Sequence, residues 1–86
     1  MTYISHWTPS YHGVSHYVLK DDRGKLLAQG TIEDHNVFVD WFVYSWTTHK
    51  TIMSGTEYKK DHRNYLDRAK KTIEKALAET KAIISQ

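Results

Sequence analysis

Six histidines stand in a chain of 86 residues that has no cysteine. Histidine suits both metal binding and proton transfer near neutral pH, so it is the first place to look for chemistry. His12 and His16 have the i,i+4 spacing that binds zinc when both sit on one turn of a helix. The segment between them, Gly13-Val14-Ser15, does not read as helical, and in a strand residues four apart lie about 13 Å from each other. No acidic third ligand stands near them in sequence. We therefore expect no metal and no cofactor, and ordinary surface or hydrogen-bonding histidines. Metal-free acid–base catalysis, as in an endoribonuclease, would draw on His12, His16, His35, His49 and His62. Nothing in their spacing ties any two together. A glycine-rich phosphate loop, a nucleophile elbow and a paired-carboxylate motif are all missing from the sequence. The expectation is a protein that is not an enzyme.

Aromatic residues carry the stronger signal: three Trp, six Tyr and two Phe. Trp and Tyr bury large areas at low entropic cost and dominate interaction surfaces. Composition is otherwise that of a globular domain, 40% hydrophobic and 26% charged, which excludes disorder and collagen-like repetition. The lack of cysteine excludes a disulfide scaffold and cysteine-based zinc sites and fits a reducing compartment. Formal charge is 12 − 10 = +2, too small to argue nucleic-acid binding alone. From Glu57 onward the chain carries eight Lys/Arg against five Asp/Glu, and before it four against five. Four of those basic residues, Lys60, Arg68, Lys71 and Lys75, interleave with Asp61, Asp67, Glu74 and Glu79, as on a solvated helix face. The N-terminal residues lack the pattern of a secretory signal. The longest apolar stretch, Val37 to Trp46, is too short to span a bilayer. Cytoplasmic location and no membrane contact are the corresponding expectations.

The elements that must position these residues follow from periodicity. Displaced by 25 residues, Tyr17-Val18-Leu19 falls on Phe42-Val43-Tyr44, Lys25 on Lys50, Leu27-Ala28 on Ile52-Met53 and Gly30-Thr31 on Gly55-Thr56. This is the pattern of two β-hairpins built alike. Asp21-Asp22-Arg23-Gly24 is the first turn, with Gly24 able to take positive φ. Trp46-Thr47-Thr48-His49 is a weaker second turn with neither Gly nor Asn, and Asp34-His35-Asn36 joins the hairpins. The hairpins run from about 16 to 33 and from 38 to 57. Tyr3 to Trp7 is a candidate for an added edge strand, interrupted by Pro9 and Gly13.

Beyond Tyr58 the period becomes helical. His62, Tyr65, Leu66, Ala69, Ile73, Ala76, Leu77, Thr80, Ile83 and Ile84 form one stripe at 100° per residue. No Gly or Pro occurs after position 55. The spacing predicts a helix over about 60–84, roughly 37 Å long at 1.5 Å per residue. It would overhang a sheet of shorter strands and leave Ile83 and Ile84 to a partner or a second copy. The fold expected is therefore a single α+β domain over residues 1–86: a four-stranded antiparallel meander with one long C-terminal amphipathic helix packed on one face.

One helix covers one sheet face, so the other is the functional suspect. The repeat places Tyr17 and Leu19 with Phe42 and Tyr44, and predicts that this aromatic face, which also holds Phe38, Trp46 and Asp40, packs on Leu66, Ile73 and Leu77. The binding residues are then expected on the other face: Val39, Trp41 and Val43, flanked by His16, Lys20 and Ser45. Such a surface is too apolar to be merely solvated. The function expected is a small protein-interaction module, an inhibitor or adaptor that binds a larger protein machine and is capable of forming a homodimer. The layout is common among small accessory proteins, those of phages and mobile elements among them, and assigns no residue a role. The alternative is a single-stranded nucleic-acid-binding protein that stacks bases on the aromatic sheet face beside the basic helix.

Overall fold

In a computed structural model, described here for residues 3–84, five strands precede one helix: β1 (Ile4–Trp7), β2 (Val14–Lys20), β3 (Leu26–Asp34), β4 (Phe38–Ser45), β5 (Lys50–Tyr58) and α1 (Tyr65–Ile84). The sheet is an antiparallel meander in the order β1-β2-β3-β4-β5. Its strand count corrects the expectation of four: within the candidate Tyr3 to Trp7, Ile4–Trp7 does form an edge strand. β1 is exposed along most of its length, so local pattern identifies it poorly. Trp7 ties it down. The indole N–H of Trp7 donates to Glu74 Oε1 on α1 at 2.7 Å, its ring meets Tyr17 edge-on at 5.0 Å, and Lys70 Nζ lies 5.5 Å from the ring centroid.

The hairpin turns are closed by short polar side chains. Asp21 Oδ1 accepts from the backbone N–H of Arg23 and Lys25 at 2.9 and 2.8 Å. Asp34 Oδ1 accepts from the N–H of Asn36, which takes φ 71°. In the third turn His49 takes the left-handed conformation at φ 58°, and Ser45 Oγ accepts from Thr48 N–H. A turn without Gly or Asn is thus accommodated by a histidine, one of the side chains that tolerate this region.

The helix begins at Tyr65, five residues after the expected start at Lys60. Residues 59–64 instead form turns: the Tyr58 carbonyl accepts from the N–H of Asp61 and His62, and Asn64 C=O accepts the first helical bond from Arg68 N–H at 3.0 Å. The chain must leave the edge of the sheet and swing over its face, and Asp61, His62 and Asn64 prefer turns to helix interiors. From there the stripe holds as expected. Ala69, Ile73 and Leu77 are fully buried, and Tyr65, Leu66, Ala76 and Thr80 half-buried. Ile83 is 71% exposed at the helix end, and the side chain of Ile84 lies outside the described residues.

Leu19 and Tyr17 of β2 lie toward the helix as expected, but on β4 the face under the helix is the opposite of the one expected. Val39 and Val43 are fully buried and Trp41 is only 9% exposed, packed with Leu19, Ala28 and Ile32 against Ile73 and Leu77. Phe42, at 37% exposed, is on the other side with Phe38 and Tyr44. The reason is one residue of loop. β2 and β3 pair up to Lys20↔Leu26, leaving residues 21–25 between them, whereas β4 and β5 pair up to Ser45↔Lys50, leaving only 46–49. The second strands of the two hairpins do superpose on the repeat: Leu27 and Ile52 are both skipped in the register, and Gly30 and Gly55 both face the helix side. The first strands are displaced by one residue. Tyr17 pairs with Gly30, but Gly55 pairs with Trp41 rather than Phe42. A one-residue slip sends every side chain to the other face.

Both glycines make room for a large core side chain. A Cβ on Gly30 would overlap Ile73 Cγ2, so α1 sits directly on the β3 backbone there. A Cβ on Gly55 would lie 2.7 Å from Trp41 Cζ2.

The helix start is also fixed from the sheet. Tyr65 Oη–H donates to Asp34 Oδ1 at 3.3 Å and is 3.4 Å from the Asn36 carbonyl. Partial burial, then the Asp34 charge and this hydrogen bond, hold the phenol pKa above its ordinary 10.0. A pKa raised on folding stabilises the fold below the unfolded value, near pH 10, and the contribution is lost as pH rises through the folded value. Alkaline titration followed by tyrosinate absorbance should show a late-ionising phenol, and Tyr65→Phe should delete that step. Its persistence in the variant would assign it to another tyrosine.

Candidate interaction surface on the open sheet face

The register aligns the open-face residues in rows across the sheet. His16, Thr31, Phe42 and Ser54 form one row, and Val18, Gln29, Tyr44 and Thr51 the next. Val14, Glu33, Asp40 and Thr56 form a third, and Phe38 pairs with Tyr58 at the end. Trp46 follows β4 into the turn and is held back over the sheet. Its indole N–H donates to Gln29 Oε1 at 3.2 Å, and its ring meets Tyr44 edge-on at 4.9 Å.

A directed chain of hydrogen bonds fixes the middle of this face. With Gln29 Oε1 taken by Trp46, the amide nitrogen Nε2 donates to Thr31 Oγ1 at 3.3 Å. The Thr31 hydroxyl then has its proton free for His16 Nδ1, 2.9 Å away. That direction makes Nδ1 an acceptor and puts the proton of the neutral ring on Nε2. Thr31 is buried although it lies on the uncovered face. Its donor and acceptor capacity is satisfied within the chain, as a buried hydroxyl requires. Around this polar centre stand Phe42, Tyr44 and Trp46, the last 41% exposed.

A second aromatic group lies at the other end. His35 stacks on Phe38 with centroids 4.7 Å apart, Phe38 lies 5.9 Å from Tyr58, and Lys60 Nζ is 5.4 Å from the Tyr58 centroid. Val37, Phe38, Tyr58, Lys59 and Lys60 line a shallow, mostly apolar depression here. Between the two aromatic groups, Glu33 and Asp40 stand directly opposite each other. Like charges in that position repel. His35 Nε2 lies between them, 3.4 Å from Asp40 Oδ2 and 3.8 Å from Glu33 Oε2, and Thr56 Oγ1–H donates to Asp40 Oδ1 at 3.0 Å.

Of the residues expected to bind, His16 and Lys20 are on the open face, His16 within the hydrogen-bonded chain. Val39, Trp41 and Val43 belong to the core, which corrects their placement on the uncovered side. Ser45 is also buried on the helix side, where its hydroxyl meets Thr47 Oγ1 at 2.9 Å and caps the turn. Phe42, Tyr44 and Trp46, expected beneath the helix, stand on the open face in their place, and Gln29 with them. Asp40 is the signal that marks their side: a charged residue at the centre of a strand faces water.

His12 takes φ 52° in the β1–β2 connection with its ring edge-on to Tyr11, while His16 is in β2. The i,i+4 pair thus spans a turn and a strand and not one helical face. Among the described residues no group of three or more His, Asp or Glu is arranged to hold a metal ion, and no helix is long and apolar enough to cross a membrane. The fold and this surface define a class: a small α+β protein with a helix on one side of an antiparallel meander and an aromatic, partly polar face on the other. Comparison with protein-family models, curated proteins and solved structures gives no match to the chain.

Proposed function

We propose that this protein is a non-enzymatic interaction module, an inhibitor or adaptor that docks a protein partner on the open face of its sheet. The observation that carries this reading is the cluster of Phe42, Tyr44 and Trp46 around the closed chain Trp46–Gln29–Thr31–His16. An interface core wants large aromatic rings with few rotamers to freeze, around polar groups that need no new partner when water leaves. The rings are in place, and the Trp46 indole N–H, the Gln29 amide oxygen and the Thr31 hydroxyl are bonded before any partner arrives. The reading competes with single-stranded nucleic acid, for which Phe38, Tyr58, Lys59 and Lys60 are the favourable group. Against a phosphate backbone stand Glu33 and Asp40, which put two carboxylates in the path of a strand running along β4.

The test is capture of a partner from nuclease-treated extract of the native host. Wild type should recover a stoichiometric protein, with little change on added salt because apolar area dominates. Phe42→Ala/Tyr44→Ala should lose it while keeping its circular dichroism. Loss of recovery on nuclease treatment, with steep salt dependence and tight binding to oligo(dT), would establish the nucleic-acid reading instead.

A further inference from the structure

The outer edge of β5 presents a second, chemically different surface. Lys59 N–H bonds to the Val37 carbonyl, and the antiparallel register continues from there through Val39↔Glu57, Trp41↔Gly55 and Val43↔Met53. Alternation along an antiparallel pair then points the N–H and C=O of Glu57, Gly55 and Met53 at β4, and those of Ser54 and Thr56 outward. Tyr58 N–H also points outward, while its carbonyl is already taken by Asp61 and His62. Nothing among the described residues bonds the outward groups of Ser54 and Thr56. A row of unpaired donors and acceptors at strand spacing recognises one thing, another extended backbone.

A second observation points to the same place. Trp41 is nine-tenths buried, and its indole Nε1 is a buried polar atom without a hydrogen-bond partner. It lies 3.1 Å from where a Gly55 Cβ would be. Gly55 therefore has no side chain between this orphan donor and a strand added beside β5. In such a strand, the residue opposite Gly55 is in a non-hydrogen-bonded pair, where side chains approach most closely. A groove lined by Met53, Thr72, Lys75, Ala76 and Glu79 continues along the helix side of the same edge.

We propose that the Ser54–Tyr58 edge binds an extended segment of a partner polypeptide by strand addition. The segment places a hydrogen-bond-accepting side chain opposite Gly55, where it takes the Trp41 indole proton. A second copy of this chain fits less well. A twofold pairing centred on Ser54 would set Thr56 against the skipped residue Ile52, and one centred on Thr56 would set Ser54 against Tyr58, whose carbonyl is already taken by Asp61 and His62. One centred on Gly55 would set glycine against glycine and give the Trp41 indole no accepting side chain. A foreign segment needs only the regular half of the strand. This site is separate from the open-face surface, and either can fail without the other.

The probe is a phage-displayed random dodecapeptide library panned on the full-length protein, with a selected peptide then titrated into isotopically labelled protein. The expected result is slowed exchange of the Ser54, Thr56 and Tyr58 amides by at least about tenfold, with a shifted Trp41 indole N–H resonance. Ser54→Pro removes one outward donor at an edge position that tolerates proline, and should weaken the peptide by about tenfold or more while leaving the remaining spectrum intact. If that variant does not fold, the exchange and indole readouts on wild type decide alone. Peptides that shift Phe42 and Tyr44 but leave the β5 amides exchanging as before would overturn the proposal. So would β5 amides that become protected with rising protein concentration and no peptide, since the occupant would then be a second copy.

Discussion

Trp41→Ala is expected to melt the domain or nearly so. The indole is 9% exposed and packs with Ile32, Val39 and Val43 beneath α1. Truncating a buried aromatic to alanine removes about 3–5 kcal/mol. A domain of this size holds only about 5–10 kcal/mol of net stability. Phe42→Ala, one residue away in sequence and on the other face, should cost about 1 kcal/mol or less, because it removes a cross-strand contact at a half-open position. Chemical denaturation of the two variants checks the pair. A stable Trp41→Ala beside a melted Phe42→Ala would return the aromatic face to the core and invert every assignment made for the sheet.

The second large effect is on the helix. Ile73 is fully buried, and its Cγ2 occupies the space left by Gly30. Ile73→Asp puts an unpaired carboxylate in that seam, a change worth several kcal/mol and enough to unfold the protein. Lys71→Asp, two residues earlier on the exposed side, should shift stability by less than about 0.5 kcal/mol. Thermal melts followed at 222 nm separate the two outcomes. Equal effects would contradict the helix phase.

The contrast between Trp41 and Phe42 also shows how far the sequence could be read. Asp21-Asp22-Arg23-Gly24 and Asp34-His35-Asn36 announce their turns because short polar side chains close them locally. The stripe through Ala69, Ile73 and Leu77 announces α1 because its period is carried by residues on one chain segment. β1 is different. Ile4–Trp7 is held by what Trp7 meets on α1, a contact 67 residues away in sequence that no local pattern encodes. The helix start is likewise set by the need to cross from the β5 edge to the sheet face.

Face assignment held for β2 and failed for β4, for a countable reason. A 25-residue repeat preserves composition, but a loop shortened by one residue inverts the first strand of the second hairpin. Two residues carried the correct answer. Asp40 belongs with water, and Gly55, like Gly30, marks where something large presses on the backbone. Read together, they put Trp41 inside and Phe42 outside. The chain Trp46–Gln29–Thr31–His16 was less accessible, because it joins a turn and two strands through side chains whose neighbours depend on register.

The open face as the docking surface is tested most directly by hydroxyl-radical footprinting of the protein alone and in its captured complex. In the free protein Phe42, Tyr44, Trp46 and Tyr58 should oxidise readily while Trp41 stays protected. In the complex Phe42, Tyr44 and Trp46 should lose that reactivity together. Protection confined to the outer side of α1, at Lys71 and Lys75, with Phe42 and Tyr44 as reactive as before, would contradict it.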